Sequence, residues 1–332
     1  PTTEALFNAT GGKSPVSGTT HVTRQGVATL RWTVQPFDYT QDTLRIKLGT
    51  AEVSARISPS FSVVKSTSSL DGLTLSDGKL AFEVKGLQLT TDTRATNTGM
   101  QTGMRELRLN TLTWASLDSL SLGLQKFVMH SDLREANGLL GGITTAEVGG
   151  LKLNDKTWGE FTLSLGYEKL SGSALRSLLD FQDSYLLRTL LGSTPNATTA
   201  AADTKKFWQH IAVLSKTSPT LSLNPLSWKN PQGRSQLSLT ATLNPSDASP
   251  NGIGLQGAPL KDFDATLSLS TSMLNAVYVQ ALQTPGANPA QVKTKADQET
   301  RKLLEQAFQL KLGRAQNNKL VAHFNIQDGE FR

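Results

Sequence analysis

The four histidines, His21, His130, His210 and His323, are the first residues to test for chemistry. Imidazole ligates metals and titrates near neutral pH. A zinc site needs three or four converging ligands, with spacings such as H-x-H, H-E-x-x-H or H-x-x-E-H. None of these occurs, so each histidine reads as a surface or half-buried residue. His210, beside Trp208, reads as a packing residue. There is no cysteine, which excludes a thiol nucleophile, a cysteine-ligated zinc and a disulfide scaffold. Asp262 and Asp264 share one side of a predicted strand, where such a pair would chelate calcium or work as acid and base. No further carboxylate neighbours them. Ser-x-x-Lys occurs at Ser62 to Lys65 and at Ser76 to Lys79, and its chemistry needs a helix. Both copies fall among strands and turns, where positions three apart point to opposite sides.

Glycine and aromatic motifs fare no better. Gly252 to Gly257 spells G-x-G-x-x-G, but it lies in a Pro-rich linker rather than between a strand and a helix. Gly138 to Gly150 holds no phosphate-loop pattern and reads as turns. Asn8-Ala9-Thr10 and Asn196-Ala197-Thr198 match a glycosylation acceptor of the kind that arises by chance. Trp32, Trp114, Trp158, Trp208 and Trp228 fall near strand ends, as anchors, and not as the aromatic row in a basic groove of a single-strand nucleic-acid binder. The residues therefore assign no catalytic, cofactor-binding or metal site, and point to a non-enzymatic protein without cofactors.

The elements that carry these residues are mostly strands. Apolar residues alternate at Leu44, Ile46 and Leu48, at Val53, Ala55 and Ile57, at Leu80, Phe82 and Val84, and at Leu87 and Leu89. The pattern continues at Leu107 and Leu109, at Leu120, Leu122 and Leu124, at Leu151 and Leu153, and from Phe161 to Tyr167. Period two places each set on one sheet face. Turn pairs separate the runs at Asp71-Gly72, Asp77-Gly78, Asn137-Gly138 and Asn154-Asp155. An antiparallel meander over 1–170 is predicted. The region 171–332 reads as α+β, with helices near 173–191, 203–215, 271–283 and 289–312, strands between them, and a closing hairpin. Ser173 is the expected cap of the first helix, and Gly192, Thr194 and Pro195 its end. Leu303, Leu304, Ala307 and Phe308 form the expected apolar stripe of the fourth. Thr194 to Thr204 and Asn244 to Pro259 read as linkers. The fold class is mostly β with inserted helices: a large curved antiparallel sheet packed by about four helices, with an elongated or groove-like shape.

One pattern recurs. Trp32, Val34, Pro36, Phe37 and Tyr39 share their spacing with Leu221, Leu223, Pro225, Leu226 and Trp228, and with Leu107, Leu109, Thr111, Leu112 and Trp114. The apolar side changes parity at the third position, as a bulge requires. The pattern reads as a recurrent kinked strand, set against an aromatic row for a ligand.

At 37% hydrophobic and 18% charged residues, the composition suits strands with one wet face. The net charge is +6, but lysine and arginine are scattered among acids. Lys293, Lys295, Arg301 and Lys302 stand among Asp297, Glu299 and Glu305, as on a solvated helix face rather than a phosphate-binding patch. No nucleic-acid partner is expected. No run approaches the ~18 apolar residues that span a bilayer. The chain opens at Pro1 without a methionine, as expected of a mature or partial chain freed of its leader.

Ser218 to Leu243, and within it P-L-S-W-K-N-x-x-G at Pro225 to Gly233, resembles the most recognisable segment of the YdgA/YihF family, a proteobacterial family of unknown function. Glu4 to Val16, Gly150 to Leu170 and Leu303 to Phe331 are similar to further parts of it, so the likeness covers nearly the whole chain. The resemblance implies a periplasmic segment, with an inner-membrane anchor and a further β region N-terminal to it. It supplies no catalytic residues. Two readings follow. Leu, Phe and Val alternation on a long sheet suits a module that holds lipid, lipopolysaccharide or another apolar envelope component. Exposed strand edges suit an envelope scaffold that binds another protein or a second copy of itself. A hydrolase of envelope glycans would need two carboxylates converging in a cleft, and no pair stands out.

Overall fold

The computed structural model describes residues 7–8, 10–116, 120–154, 156–190, 197–244, 260–284, 286–327 and 330–331. Asn8-Ala9-Thr10, Asn196-Ala197-Thr198, Gly192 to Pro195 and the Gly252 to Gly257 motif fall partly or wholly outside them. Eleven strands carry the first half of the chain: β1 (Val16–Val22), β2 (Ala28–Val34), β3 (Phe37–Gln41), β4 (Leu44–Leu48), β5 (Ala51–Ile57), β6 (Val63–Ser76), β7 (Leu80–Ala95), β8 (Gln101–Ser116), β9 (Ser121–Ala136), β10 (Leu139–Leu153) and β11 (Lys156–Ser171). Helices α1 (Gly172–Leu190) and α2 (Ala197–Ser215) lead to β12 (Thr220–Asn230), β13 (Gly233–Leu243) and β14 (Leu260–Ser270). Helices α3 (Thr271–Leu282) and α4 (Pro289–Gln309) precede β15 (Arg314–Gln316), β16 (Lys319–Gln327) and β17 (Glu330–Phe331).

All the strands join one sheet, every pairing is antiparallel, and neighbours in sequence are mostly neighbours in space. The order runs β1-β2-β5-β6 and on to β14, then β16, which carries β15 and β17. The β3–β4 hairpin extends β2 and β5 along the other half of β6. β1 does not pair with the far end, so the sheet is open. The expected mostly-β fold with inserted helices is the one observed.

Short hairpins explain the meander. Asn137 and Gly138 take φ of 54° and 76°, the two positive values of a tight turn matched to strand twist. Asp77-Gly78 and Asn154 also turn the chain. Asp71-Gly72 does not, although it carries the same turn signal. It lies inside β6, where pairing steps from Leu70↔Leu87 to Gly72↔Lys85. The glycines from Gly141 to Gly150 likewise sit within β10, and only Gly138 of that stretch turns the chain.

These mid-strand glycines line a crease across the sheet. It passes Pro36 between β2 and β3, Gly49 between β4 and β5, and Gly72 in β6. It continues through Gly86 in β7 (φ 64°), Asn110 in β8, Lys126 in β9 (φ 51°) and Gly149 in β10. The recurrent pattern of the sequence falls on such breaks. Pro36 separates two strands, pairing skips Asn110, and Pro225 follows a cis peptide where register shifts between Leu223 and Leu226. An extra residue at each break lets the apolar parity change without moving apolar side chains to the other face.

The helices form two hairpins. α1 packs on α2, and both touch β11; α3 packs on α4 and touches β13 and β14. Ser171 caps α1, accepting from the amide of Ala174 at 3.3 Å, in place of the expected Ser173. α2 starts at Ala197, not 203, because the Ala/Thr stretch read as linker is helical. α4 stops at Gln309, and its buried stripe is Val292, Ala296, Thr300 and Ala307, while Phe308 stays 39% exposed. Small residues face α3 there because the two helices lie close. The lysines and arginines of α4 are exposed, as expected of a solvated face.

The well-buried core sits where the helices meet the sheet. Met273, Ala296, Ala265, Leu320 and Ala322 form it beside α3 and α4; Leu140, Ala174 and Leu214 form it beside α1 and α2. Among the described residues the helices make their main sheet contacts with β11, β13 and β14, and none packs broadly on β1 to β9. The molecule presents 20997 Å² of surface, against about 13,000 Å² expected for a compact monomer of 35.7 kDa. The excess reflects a sheet with much of its area in a single layer.

Candidate functional site: the apolar face of the sheet

Residues directly opposite across an antiparallel pair project from the same side. The register therefore builds rows. One runs unbroken from Val16 through Val34, Ala51, Leu70, Leu87, Leu109, Phe127, Val148 and Phe161 to Trp228. A second, two positions along each strand, links Trp32, Val53, Ser68, Leu89, Leu107, Met129, Ala146, Leu163, Leu226, Leu237 and Leu267. Across the crease, Leu73, Val84, Leu112, Leu124 and Leu151 continue the surface.

Much of this face is open, although Leu109 is 7% exposed and Val84 8%. Trp32 is 46% exposed, Leu89 40%, Leu165 42%, Leu221 43% and Leu226 39%. Large apolar side chains this open, in contiguous rows, mark a surface that takes a partner or a ligand. One corner, at β11 and β12, is roofed. There Trp228 stacks on Phe161 at 5.7 Å and leans on Trp158 at 6.1 Å. The Trp228 indole also donates to the carbonyl of Trp158. Lys156 donates to the carbonyls of Gln280 and Gln283, so its ammonium neutralises the negative end of α3 and fixes the helix to β11.

The opposite face is polar. Ion pairs cover it: Lys65 with Asp92 at 2.8 Å, Arg108 with Glu106 at 2.6 Å, and Arg134 with Asp132 at 2.6 Å. The Arg108 hydrogen bond holds the Glu106 carboxyl below its ordinary value. Two clefts open among the polar residues, of about 600 Å³ around Lys47, Asp71, Glu83, Lys85 and Asn110, and about 450 Å³ around Asp132, Arg134, Tyr167 and Glu168. Each brings together two carboxylates distant in sequence, which no spacing signal could have found. In each, one acid is tied to a cation: Glu83 to Lys85 at 2.9 Å, and Asp132 to Arg134. A further cleft of about 480 Å³ lies between α1 and α2, lined by Leu178, Phe181, Tyr185, Asp203 and Phe207.

The histidines stay apart. His323 meets Asp264 at 2.7 Å, His130 lies 3.9 Å from Glu106, His210 faces Phe181 at 5.5 Å, and His21 is exposed on β1. Asp264 also accepts from Asn325 at 3.2 Å, so its neighbours are His323 and Asn325. Among the described residues no three His, Asp or Glu are grouped to hold a metal. The two Ser-x-x-Lys stretches lie on β6 and its flanking turns.

From residue 1 to residue 332 the sequence matches the family described as "Bacterial protein of unknown function (DUF945)". The chain belongs to this family. It is similar to Protein YdgA of Escherichia coli (strain K12), with 20% identity over 343 residues, covering 98% of this chain and 68% of that protein. The match agrees with the likeness read from P-L-S-W-K-N-x-x-G, a stretch that forms β12 and its turn into β13. No solved structure matches the chain. Among the described residues no helix is long and apolar enough to cross a membrane.

Proposed function

We propose that this protein is a non-enzymatic component of the bacterial envelope that holds acyl chains, of lipid or of another apolar envelope molecule, on the exposed face of its sheet. The carrying observation is the pair of largely apolar rows in which Trp32, Val53, Leu89 and Leu226 stand well exposed. Covering the rest of a half-exposed leucine gains roughly 1 kcal/mol, so a chain lying over several rows gathers useful affinity without any polar contact. The family likeness supports a periplasmic placement and an N-terminal inner-membrane anchor. The non-enzymatic reading is supported by one acid of each polar cleft being engaged by a cation, Glu83 by Lys85 and Asp132 by Arg134.

Protein prepared without detergent, examined by native mass spectrometry, is expected to carry adducts of lipid mass. Replacing Leu89 and Leu226 together by Asp should strip most of them while leaving the circular dichroism spectrum unchanged. A bare wild-type protein that also ignores added lipid refutes the proposal. A second reading, an envelope scaffold, rests on β1. All its residues are exposed, and it lacks the Lys, Pro or bulge that usually blunts an edge strand. A partner strand, including that of another copy, would add there.

A further inference from the structure

We propose that Arg105 is the headgroup site of the apolar face, binding the phosphate of a two-chain phospholipid whose acyl chains lie over the adjoining leucine rows. This rests on the acyl-holding role proposed above and names its ligand class. The register fixes the placement. Arg105 stands opposite Thr91 and Ser131, while Leu107 stands opposite Leu89 and Met129, and Leu109 opposite Leu87 and Phe127, with no shift between them. Residues 105, 107 and 109 therefore share a face.

Basic side chains are sharply sorted on this part of the sheet, whereas the acid Glu135 stands on the apolar side beyond Leu133 and accepts from Thr98. Between the crease and the sheet margin, Arg31, Arg56, Lys65, Arg94, Arg108 and Arg134 all occupy the alternate, polar positions. Arg105 breaks that rule. It is exposed, and it makes no hydrogen bond or ion pair with any described residue. A solvated guanidinium needs no partner; a lone one set at the head of leucine rows is a different matter, because any apolar guest laid there strips its water. A guest that brings its own anion removes that cost.

The neighbours of Arg105 favour a phosphate. Ser66, Thr91, Ser131 and Thr144 stand in its row on β6, β7, β9 and β10, two strands to either side, so that the row of hydroxyls about Arg105 spans about 19 Å at the usual strand spacing. Ser131 and Thr144 lie 3.0 Å apart. The planar guanidinium matches two oxygens of one phosphate, and the hydroxyls suit the remaining oxygens. Immediately beside the band begin Leu89, Leu107 and Met129, an apolar floor that a free phosphate would not use. Hydroxyl band, cation and leucine floor follow the order of an amphiphile's own parts.

The test titrates the full chain with dioctanoyl phosphatidylglycerol and with dioctanoylglycerol, which share acyl chains and differ in the phosphate, by isothermal titration calorimetry. Arg105→Gln is expected to weaken the phospholipid about tenfold or more, as loss of a charged hydrogen bond should, and to leave dioctanoylglycerol within about twofold. Arg105→Lys should retain part of the affinity. Arg108→Gln, on the opposite face, should change neither. Equal loss for both ligands in Arg105→Gln, or no loss for the phospholipid, overturns the headgroup assignment and leaves acyl binding standing. Inorganic phosphate that binds as tightly as the phospholipid and depends on Arg105 also overturns it, since the site would then serve a free anion. A wild-type chain that takes neither lipid brings down acyl holding itself, and this assignment with it.

Discussion

At the turn between β6 and β7 a single carboxylate organises the reversal. Oδ1 of Asp77 accepts from the amides of Lys79 at 2.8 Å and Leu80 at 2.7 Å, while its own amide donates to Leu80 at 3.1 Å. The amides of Leu80 and then Lys79 hold its pKa below the ordinary 3.8. A depressed carboxylate contributes stability above its unfolded pKa and loses it as pH falls through the folded value. Asp77→Asn keeps an acceptor oxygen but no charge. The urea midpoint of wild type should therefore exceed that of Asp77→Asn at pH 7, with the gap narrowing as pH falls below 3.8. A gap as large at pH 3 as at pH 7 would mean the charge is not what stabilises the turn. Asp77-Gly78 announced this reversal in the sequence. Lys156 gave no such notice, because its partners, Gln280 and Gln283, are carbonyl groups of a helix end far along the chain.

The crease makes its own demands on the elements it crosses. Gly86 takes φ 64°, and a Cβ there would lie 2.1 Å from Nδ2 and 2.6 Å from Cγ of Asn110. Gly86→Ala therefore meets both backbone strain and a clash, and should cost about 1–3 kcal/mol in urea unfolding. Adding Asn110→Ala should recover the clash but not the strain; full recovery would show that the left-handed backbone is dispensable. The elements were otherwise well forecast. Alternation located the long strands because one side of each faces a greasy surface and the other water. The Pro36, Thr111 and Pro225 pattern located three of the breaks. Asp71-Gly72 matches a turn pair but lies inside β6, where neither residue takes a left-handed backbone and the strand runs on through the crease. The Ala/Thr stretch before residue 203 misled because its composition suits a linker as well as an amphipathic helix docked on α1. Of the stripe expected on α4, Ala307 is buried, Leu303 and Leu304 are half-buried and Phe308 is exposed, and the buried side extends toward the start of the helix through Val292, Ala296 and Thr300.

Across the whole molecule, stability and surface are unevenly shared. The two helical hairpins give the second half of the chain closed cores, with Met273 and Ala296 fully buried, whereas β1 to β9 and their turns have Val84, Leu109 and, between β7 and β8, Met100 as buried apolar residues. Which strands pair was legible only as a sequential meander, and that the helices would leave so much of the face open was not legible at all. Pattern records that a side is apolar, but not what lies against it. The asymmetry sets an expectation for hydrogen exchange. Without ligand, amides of β2 and β5 should exchange faster than those of β13 and β14, which carry α3 and α4, because local opening there gives up fewer buried contacts. Saturating phospholipid should slow exchange in β2 and β5 to β9, where the open rows lie, and leave α3 and α4 unchanged. Linkage requires this selectivity: a ligand that binds only the closed sheet adds its binding free energy to openings that destroy its site and to no others. Uniform slowing over both halves would place the bound chains elsewhere, with the cleft between α1 and α2 the next surface to test.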